Sequence, residues 1–321
     1  MASTRHPSRL RRTTCGLAAL VALAVGLPGI VAAQPPAVLE ASSGDLLVGN
    51  LSTNSVALYD TSGGYLGEFV VPGSGGLASP RGLAFGPDGN LYVASRNSSS
   101  VLRYDGASGA FIDAFVPSGS GGLSTAVGLT FGPDGNLYVV SRNNHSVLRY
   151  DASSGAFIDV FVTTQPGGLF DPRDPEFGPD GDLYVSSAGN GTVRRYDGTT
   201  GAYLGVFAAS AGLGTACAAC LSQPVGIDWG PDGALYVSSY DNNRVQRFYG
   251  TTGAFAGTFA FGGGLCGAID SEFGPDGSLY VSSNCNSRVL RFDGSSGAFH
   301  DTFVRNKSGD LGAPGWLLFV P

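Results

Sequence analysis

Lysine is almost missing: Lys307 is the only one in 321 residues, and lysine and arginine together number 18 against 25 acids. No basic stripe for nucleic-acid phosphates can be assembled from that inventory, so nucleic-acid binding is set aside. Charged residues of both signs make up 13% of the chain, about half the usual share. Histidine is as sparse. Beyond His6 only His145 and His300 occur, so catalysis by a histidine pair or cluster is hard to build. Gly-x-Ser-x-Gly elbows, His-Glu-x-x-His helices and phosphate-binding loops are also missing. What the chain has instead is 51 glycines and 18 prolines, which argue against long helices. Its 43% hydrophobic content, with 13 tyrosines and 19 phenylalanines, is ample for a large core and argues against disorder.

The start of the chain reads as an address. Arg5, Arg9, Arg11 and Arg12 precede the apolar run Cys15–Leu27, and Val31-Ala32-Ala33 supplies the small residues of a cleavage site. Pro28-Gly29 interrupts the run, which favours a cleaved signal peptide over residues 1–33 rather than a retained anchor. Arg11-Arg12 leaves the general and twin-arginine export routes both open. Cleavage would remove four arginines and no acid, moving the formal charge from -7 to -11. The expectation is a secreted or periplasmic acidic protein with no stable membrane span after cleavage.

A repeat organises the rest. Phe85-Gly-Pro-Asp-Gly-Asn-Leu-Tyr-Val93 returns in the same frame at Phe131, Phe177, Trp229 and Phe273, at spacings of 46, 46, 52 and 44 residues. Such a period points to a propeller or solenoid. Within one copy, Gly82–Phe85 reads as a short strand, and Pro87-Asp88-Gly89 reads as a tight reversal, with Gly supplying the left-handed conformation. Leu91–Ala94, Val101–Tyr104 and Ala110–Val116 follow as three more strands. Four antiparallel strands joined by hairpins describe a propeller blade. Residues 45–71 match strands two to four without a strand one, and Pro314–Phe319 matches strand one alone. Together they make a sixth blade that closes the ring and hides its edges. The expected layout is a signal peptide over 1–33, a linker over 34–44 and an all-β, six-bladed propeller over 45–321, behaving as a monomer.

Pro80-Arg-Gly-Leu-Ala-Phe-Gly-Pro-Asp-Gly-Asn-Leu-Tyr-Val93 and Asn243-Arg-Val-Gln-Arg-Phe248 resemble the NHL repeat, and the resemblance spans residues 45–320. It implies that ligands bind on the face formed by the strand two-to-three loops and the linkers between blades. On that face lie Arg96, Arg142, Asn143, His145, Tyr240, Asp241 and Asn284. The Pro-Asp-Gly turns occupy the opposite face, and their aspartates are read as turn chemistry.

Blades differ at one aligned position of strand one. Ala84, Thr130 and Leu318 are uncharged, whereas Glu176, Asp228 and Glu272 occupy three consecutive blades, with Asp174 and Asp270 two residues earlier in theirs. Strand one is innermost, so these carboxylates should crowd the axis. Their repulsion asks for a proton, ordered water or a cation. A hydrated channel without metal satisfies them, and calcium held by Glu176, Asp228 and Glu272 is the alternative. The other clustered residues are the cysteines: Cys217 and Cys220 share one linker, Cys266 lies in the next, and Cys285 sits in a neighbouring loop. Export makes disulfides the default over zinc or a redox pair, and the inferred blade order pairs Cys217 with Cys220 and Cys266 with Cys285.

Two functions compete. The leading one is a non-catalytic exported propeller whose loops bind a protein, a glycan or a small molecule, with no cofactor required. The other is a metal-assisted lyase or lactonase, because streptogramin lyases and gluconolactonases are propellers of similar repeat texture. The gluconolactonase pattern places Asn or Asp just before strand one's Gly-Leu-Ala. This chain has Arg81, Val127, Arg173, Val225, Ile269 and Gly315 there, which departs from the lactonase site.

The basic, apolar, small-residue order of 1–33 predicts a mature chain beginning near Gln34. Intact mass of the exported protein should show this start. Retention of Met1 in a cytoplasmic product would contradict it.

Overall fold

The computed structural model describes residues 39–165, 167–209 and 221–321. Residues 1–33, read from sequence as a signal peptide, linker residues 34–38, Cys217 and Cys220 lie outside them. The described residues form six four-stranded antiparallel sheets. Blade one comprises Pro80–Phe85, Leu91–Ser95, Ser100–Tyr104 and Phe111–Val116. Blades two to five start on Ala126–Phe131, Pro172–Phe177, Pro224–Trp229 and Ala268–Phe273. In blade six, Pro314–Phe319 pairs antiparallel with Leu46–Asn50, and Ser55–Tyr59 and Tyr65–Val70 complete the sheet. Each first strand packs against the first strands of its two neighbours, so these six strands line the axis. No helix among the described residues is long and apolar enough to cross a membrane.

One tyrosine accounts for most of the repeat. Tyr92, fully buried, inserts edge-on between Phe115 of its own outer strand and Phe131 of the next blade, at centroid distances of 4.9 and 5.1 Å. Its hydroxyl donates to Asp88 Oδ2 at 3.0 Å, and Asp88 Oδ1 accepts the Asn90 N–H at 3.1 Å, which fastens the Pro-Asp-Gly turn. Gly89 supplies that turn's positive φ of 76°. Gly86 is glycine for a different reason: a Cβ there would collide with the Tyr92 ring. Tyr138, Tyr184, Tyr236 and Tyr280 repeat the arrangement against Phe177, Trp229, Phe273 and Phe319 of the following blades. Such edge-to-face pairs contribute about 0.5–1.5 kcal/mol each beyond their burial.

Serine at the end of strand two ties each linker to its blade. Ser95 Oγ accepts the Ala78 N–H at 3.0 Å, and Ser141, Ser187, Ser239 and Ser283 repeat the bond. Farther along the same face, a disulfide joins Cys266 to Cys285 with their Cα atoms 5.5 Å apart. It fastens the blade-four-to-five linker to a blade-five loop, and closing a loop of 19 residues contributes about 3 kcal/mol on the loop-entropy argument.

A bulge in every first strand decides what faces the axis. Pro80 pairs with Ser95, but Leu83 pairs with Val93, so two residues of strand one oppose one of strand two. The same shift recurs in the other blades. Strict alternation is lost there, and both residues two and three of the strand can serve the channel.

Phe319 is the last aromatic in this circuit of tyrosines. Deleting Ala313–Pro321 should therefore remove the partner of Tyr280 and bare the edge of Leu46–Asn50. The truncated protein is expected to aggregate or to melt without a single cooperative transition. A monomer with unchanged melting temperature would show that the ring does not depend on this closure.

Candidate functional site

At the end of the axis nearer the Pro-Asp-Gly turns, a cavity of about 410 Å³ is lined by Asp174, Glu176, Asp228, Asp270 and Glu272. Thr130, Leu318 and Trp316 complete much of its wall. The first-strand register puts these acids there, two from blade three, one from blade four and two from blade five. Asp174 and Asp270 do more than face the cavity: each carboxylate bonds to backbone across blades. Asp174 Oδ2 accepts the Ile227 N–H at 3.1 Å, and Asp270 Oδ2 accepts the Leu317 N–H at 2.9 Å. Room for these side chains is made by glycine. A Cβ at Gly128 or Gly226 would run into Asp174 Oδ1 or Asp270 Oδ1.

Burial costs these carboxylates their charge. Asp174 is pushed up to about 7, mainly by burial and further by the Asp228 charge, while the Ile227 N–H and the Trp316 indole pull the other way. Asp228 also rises to about 7 through burial, against the opposing pull of the Phe273 and Trp229 N–H groups. Burial lifts Glu176, Asp270 and Glu272 well above their ordinary values, and the neighbouring carboxylates add to the shift. The donors are the hard oxygens that calcium prefers. Yet three of the five acids, Asp174, Asp228 and Asp270, already serve backbone N–H groups, and among the described residues no three His, Cys, Asp or Glu converge as metal ligands.

Trp316 forms the waist of the channel. Only 4% exposed, it reaches from blade six across the axis and donates its indole N–H to Asp174 Oδ1 at 3.2 Å. The Arg81 guanidinium lies 5.8 Å from the centre of its ring. Beyond the tryptophan the sign of the channel changes.

At the loop end a cavity of about 260 Å³ is lined by Arg81, Arg173, Tyr240 and Asn284 on one part of its wall and by Leu51, Val225 and Ile269 on another. Arg173 pairs with Asp171 at 2.7 Å, and Arg142 shares the same carboxylate. Arg81 and Arg96 pair with no carboxylate among the described residues. Burial lowers the Arg81 pKa to about 10, aided by repulsion from Arg96, Arg173 and Arg142. Arg96 is lowered by the same causes. By contrast Arg103, Arg149, Arg195, Arg247 and Arg291, on the third strands, are all paired with aspartates.

The loop residues singled out in the sequence divide accordingly. Tyr240 and Asn284 line the cationic mouth, and Arg96 and Arg142 stand within electrostatic reach of it. Asn143 and Asp241 instead bond to linker serines, Ser124 and Ser222, at 3.3 and 3.0 Å. His145 is a strap between blades. Its Nδ1 accepts the Asp171 N–H at 3.2 Å, in the place where Asn54 and Asn243 use an amide oxygen and Ser99 and Ser287 a hydroxyl. The straps hold strained backbone, because both residues of the His145–Asp171 contact have positive φ, 52° and 51°. His300 lies on the rim, 3.1 Å from Asp301. Arg81 and Arg173 were not among the ligand-face residues expected from sequence; two arginines at one aligned position of an innermost strand were the available signal.

No protein family and no curated protein matches the chain. Solved structures do. Virginiamycin B lyase from Staphylococcus aureus is 16% identical, with 81% of each chain covered and a TM-score of 0.59. A streptogramin B lyase is 18% identical over 84% of this chain and 87% of its own, also at 0.59. A chain of the nidogen/laminin complex is 14% identical over 85% and 97%, with a TM-score of 0.67. At these identities the likeness concerns the fold, which is that of a six-bladed β-propeller.

The buried acids set a pH dependence with a definite sign. Between the ordinary aspartate value of 3.8 and about 7 the folded chain keeps protons that the unfolded chain has released. The contribution of Asp174 and Asp228 to stability therefore falls as pH rises through that window, and the raised Glu176, Asp270 and Glu272 act with the same sign. The turn aspartates, such as Asp88, are shifted downward and act only in more acidic solution. Chemical denaturation at constant ionic strength should show the decline from about pH 4 to 7, and Glu272→Gln should make it shallower and raise stability at pH 8. An unchanged slope in the variant would show that Glu272 ionises as freely folded as unfolded.

Proposed function

We propose that this chain is an exported, monomeric binding propeller whose loop face takes up a protein, a glycan or a small molecule without transforming it. The observation that carries the reading is the cationic mouth on a chain that is otherwise acidic. Arg81, Arg96, Arg142 and Arg173 interact there, and Asp171 is the carboxylate paired within the group. Holding like charges together in a rigid ring is unfavourable by itself and becomes useful when a ligand offsets it. The mouth also combines Tyr240 and Asn284 with apolar Val225 and Ile269, the mixture of orienting polar groups and hydrophobic wall that small ligands use. A protein among its structural neighbours comes from the nidogen/laminin complex, which fits a binding role for such a fold.

A second reading places chemistry at the opposite end. Carboxylates with pKa values near neutrality in one cavity suit acid–base work, and two of the structural neighbours are lyases. In that case Glu176, Asp228 and Glu272 would hold calcium, and the substrate would be a lactone or a streptogramin-like cyclic ester.

A thermal-shift panel of glycans, peptides and small acids, followed by mass analysis of the recovered ligand, separates the two. The binding reading expects an unchanged ligand whose effect is lost in Tyr240→Ala and kept in Glu272→Gln. Calcium-dependent turnover of a lactone or cyclic ester, abolished by replacing Glu176, Asp228 and Glu272 together, would overturn it.

A further inference from the structure

The cationic mouth has a composition that narrows its ligand, on the reading that the loop face is where ligands bind. We propose that the cavity between Arg81 and Arg173 is a site for a small amphiphilic oxyanion, a carboxylate or phosphate head on a short apolar body. Three observations carry this. First, Arg81 and Arg173 come from blades one and three at the same aligned position, so their guanidinium groups approach one cavity from different blades. A guanidinium fork matches the paired oxygens of a carboxylate or phosphate, and a second fork lets both sides of the head be held.

Second, the charge there is uncompensated. Asp171 serves Arg142 and Arg173, while Arg81 meets the face of Trp316 instead of an acid. The Nε atoms of Arg81 and Arg173 are enclosed without an acceptor among the described residues. A buried charged donor left without an acceptor is costly, and an entering oxyanion would supply one. The lowered pKa of Arg81, to about 10, agrees with a guanidinium that is desolvated and repelled by its neighbours.

Third, the remaining wall is not basic. Val225, Ile269 and Leu51 give the same cavity a hydrocarbon side, and about 260 Å³ accommodates one aromatic or short aliphatic body but not an oligosaccharide. None of the five buried acids lines this cavity; they share the other one with Trp316, whose ring faces Arg81 and whose indole bonds to Asp174.

Isothermal titration with benzoate, phenyl phosphate, inorganic phosphate and benzyl alcohol at matched ionic strength tests the proposal. Benzoate or phenyl phosphate should bind saturably, the tighter of the two identifying the head group, with inorganic phosphate weaker and benzyl alcohol weaker still. Arg81→Gln and Arg173→Gln should each weaken binding at least about tenfold, while Arg103→Gln on the blade rim leaves it unchanged. Should either mouth variant lose its cooperative melt, Arg96→Gln at the half-exposed edge of the mouth is expected to lower both affinity and its salt dependence. Failure of both anions to bind, or binding unaffected by the folded mouth variants, would overturn the anion site. If benzyl alcohol or a neutral glycan nevertheless bound in a Tyr240-dependent way, the loop face would remain the ligand face and only its anion selectivity would be lost. Absence of any ligand there would remove both.

Discussion

The tyrosine at the second position of strand two, present in five of the six blades, is the interaction on which the ring depends. Its ring is held edge-on between an outer-strand aromatic of its own blade and the first-strand aromatic of the next, while its hydroxyl secures the Pro-Asp-Gly turn. A blade cannot bury that ring alone. Each sheet is therefore completed by its neighbour, and the circuit is finished only when Phe319 reaches Tyr280. Blade six departs from the pattern: Leu47 stands where the tyrosine would be, packed in the cluster that includes Phe85. The C-terminal strand consequently does two jobs, closing the sheet with Leu46–Asn50 and delivering Trp316 to the axis.

Rigid closure is what permits the unusual electrostatics of the channel. Five carboxylates gather on one side of Trp316 and a group of arginines on the other, and neither set is neutralised by the opposite one. The two sides respond differently. Carboxylates relieve their crowding by retaining protons, so Asp174 and Asp228 rise to about 7 and Glu176 well above its ordinary value. Guanidinium groups have no comparable escape near neutral pH, because even a lowered Arg81 stays protonated. Proton uptake can quiet the acidic end, whereas the basic end needs an anion. The difference follows from chemistry that the first strands place only a few residues apart.

The blades were legible because a period of about 46 residues, a fixed turn and alternating strands all agree, and the split blade was legible because its two halves complement each other. The axial position of Glu176, Asp228 and Glu272 also followed from the alignment of first strands. Arg81 and Arg173 did not, since alternation along a strand assigns residues two and three to opposite faces, and the bulge that brings both to the channel leaves no mark in residue type. His145 looked like a ligand-face residue because its loop is on that face. Its Nδ1 instead takes an N–H from the next blade, a contact between residues 26 apart that local pattern does not reveal. The disulfide between Cys266 and Cys285 was readable once blade order had placed their loops together. The Cys217–Cys220 pair falls outside the described residues.

The central claim is that the two ends of the channel have opposite chemistry and that the arginine end receives the ligand. Arginine Nε–Hε resonances followed through a benzoate titration test it most directly, because each arginine reports its own surroundings. Saturable shifts confined to Arg81, Arg173 and their neighbours Arg96 and Arg142, with the salt-bridged Arg103, Arg149 and Arg291 unmoved, are the predicted result. Shifts spread evenly over the surface arginines, or shifts that never saturate, would contradict it.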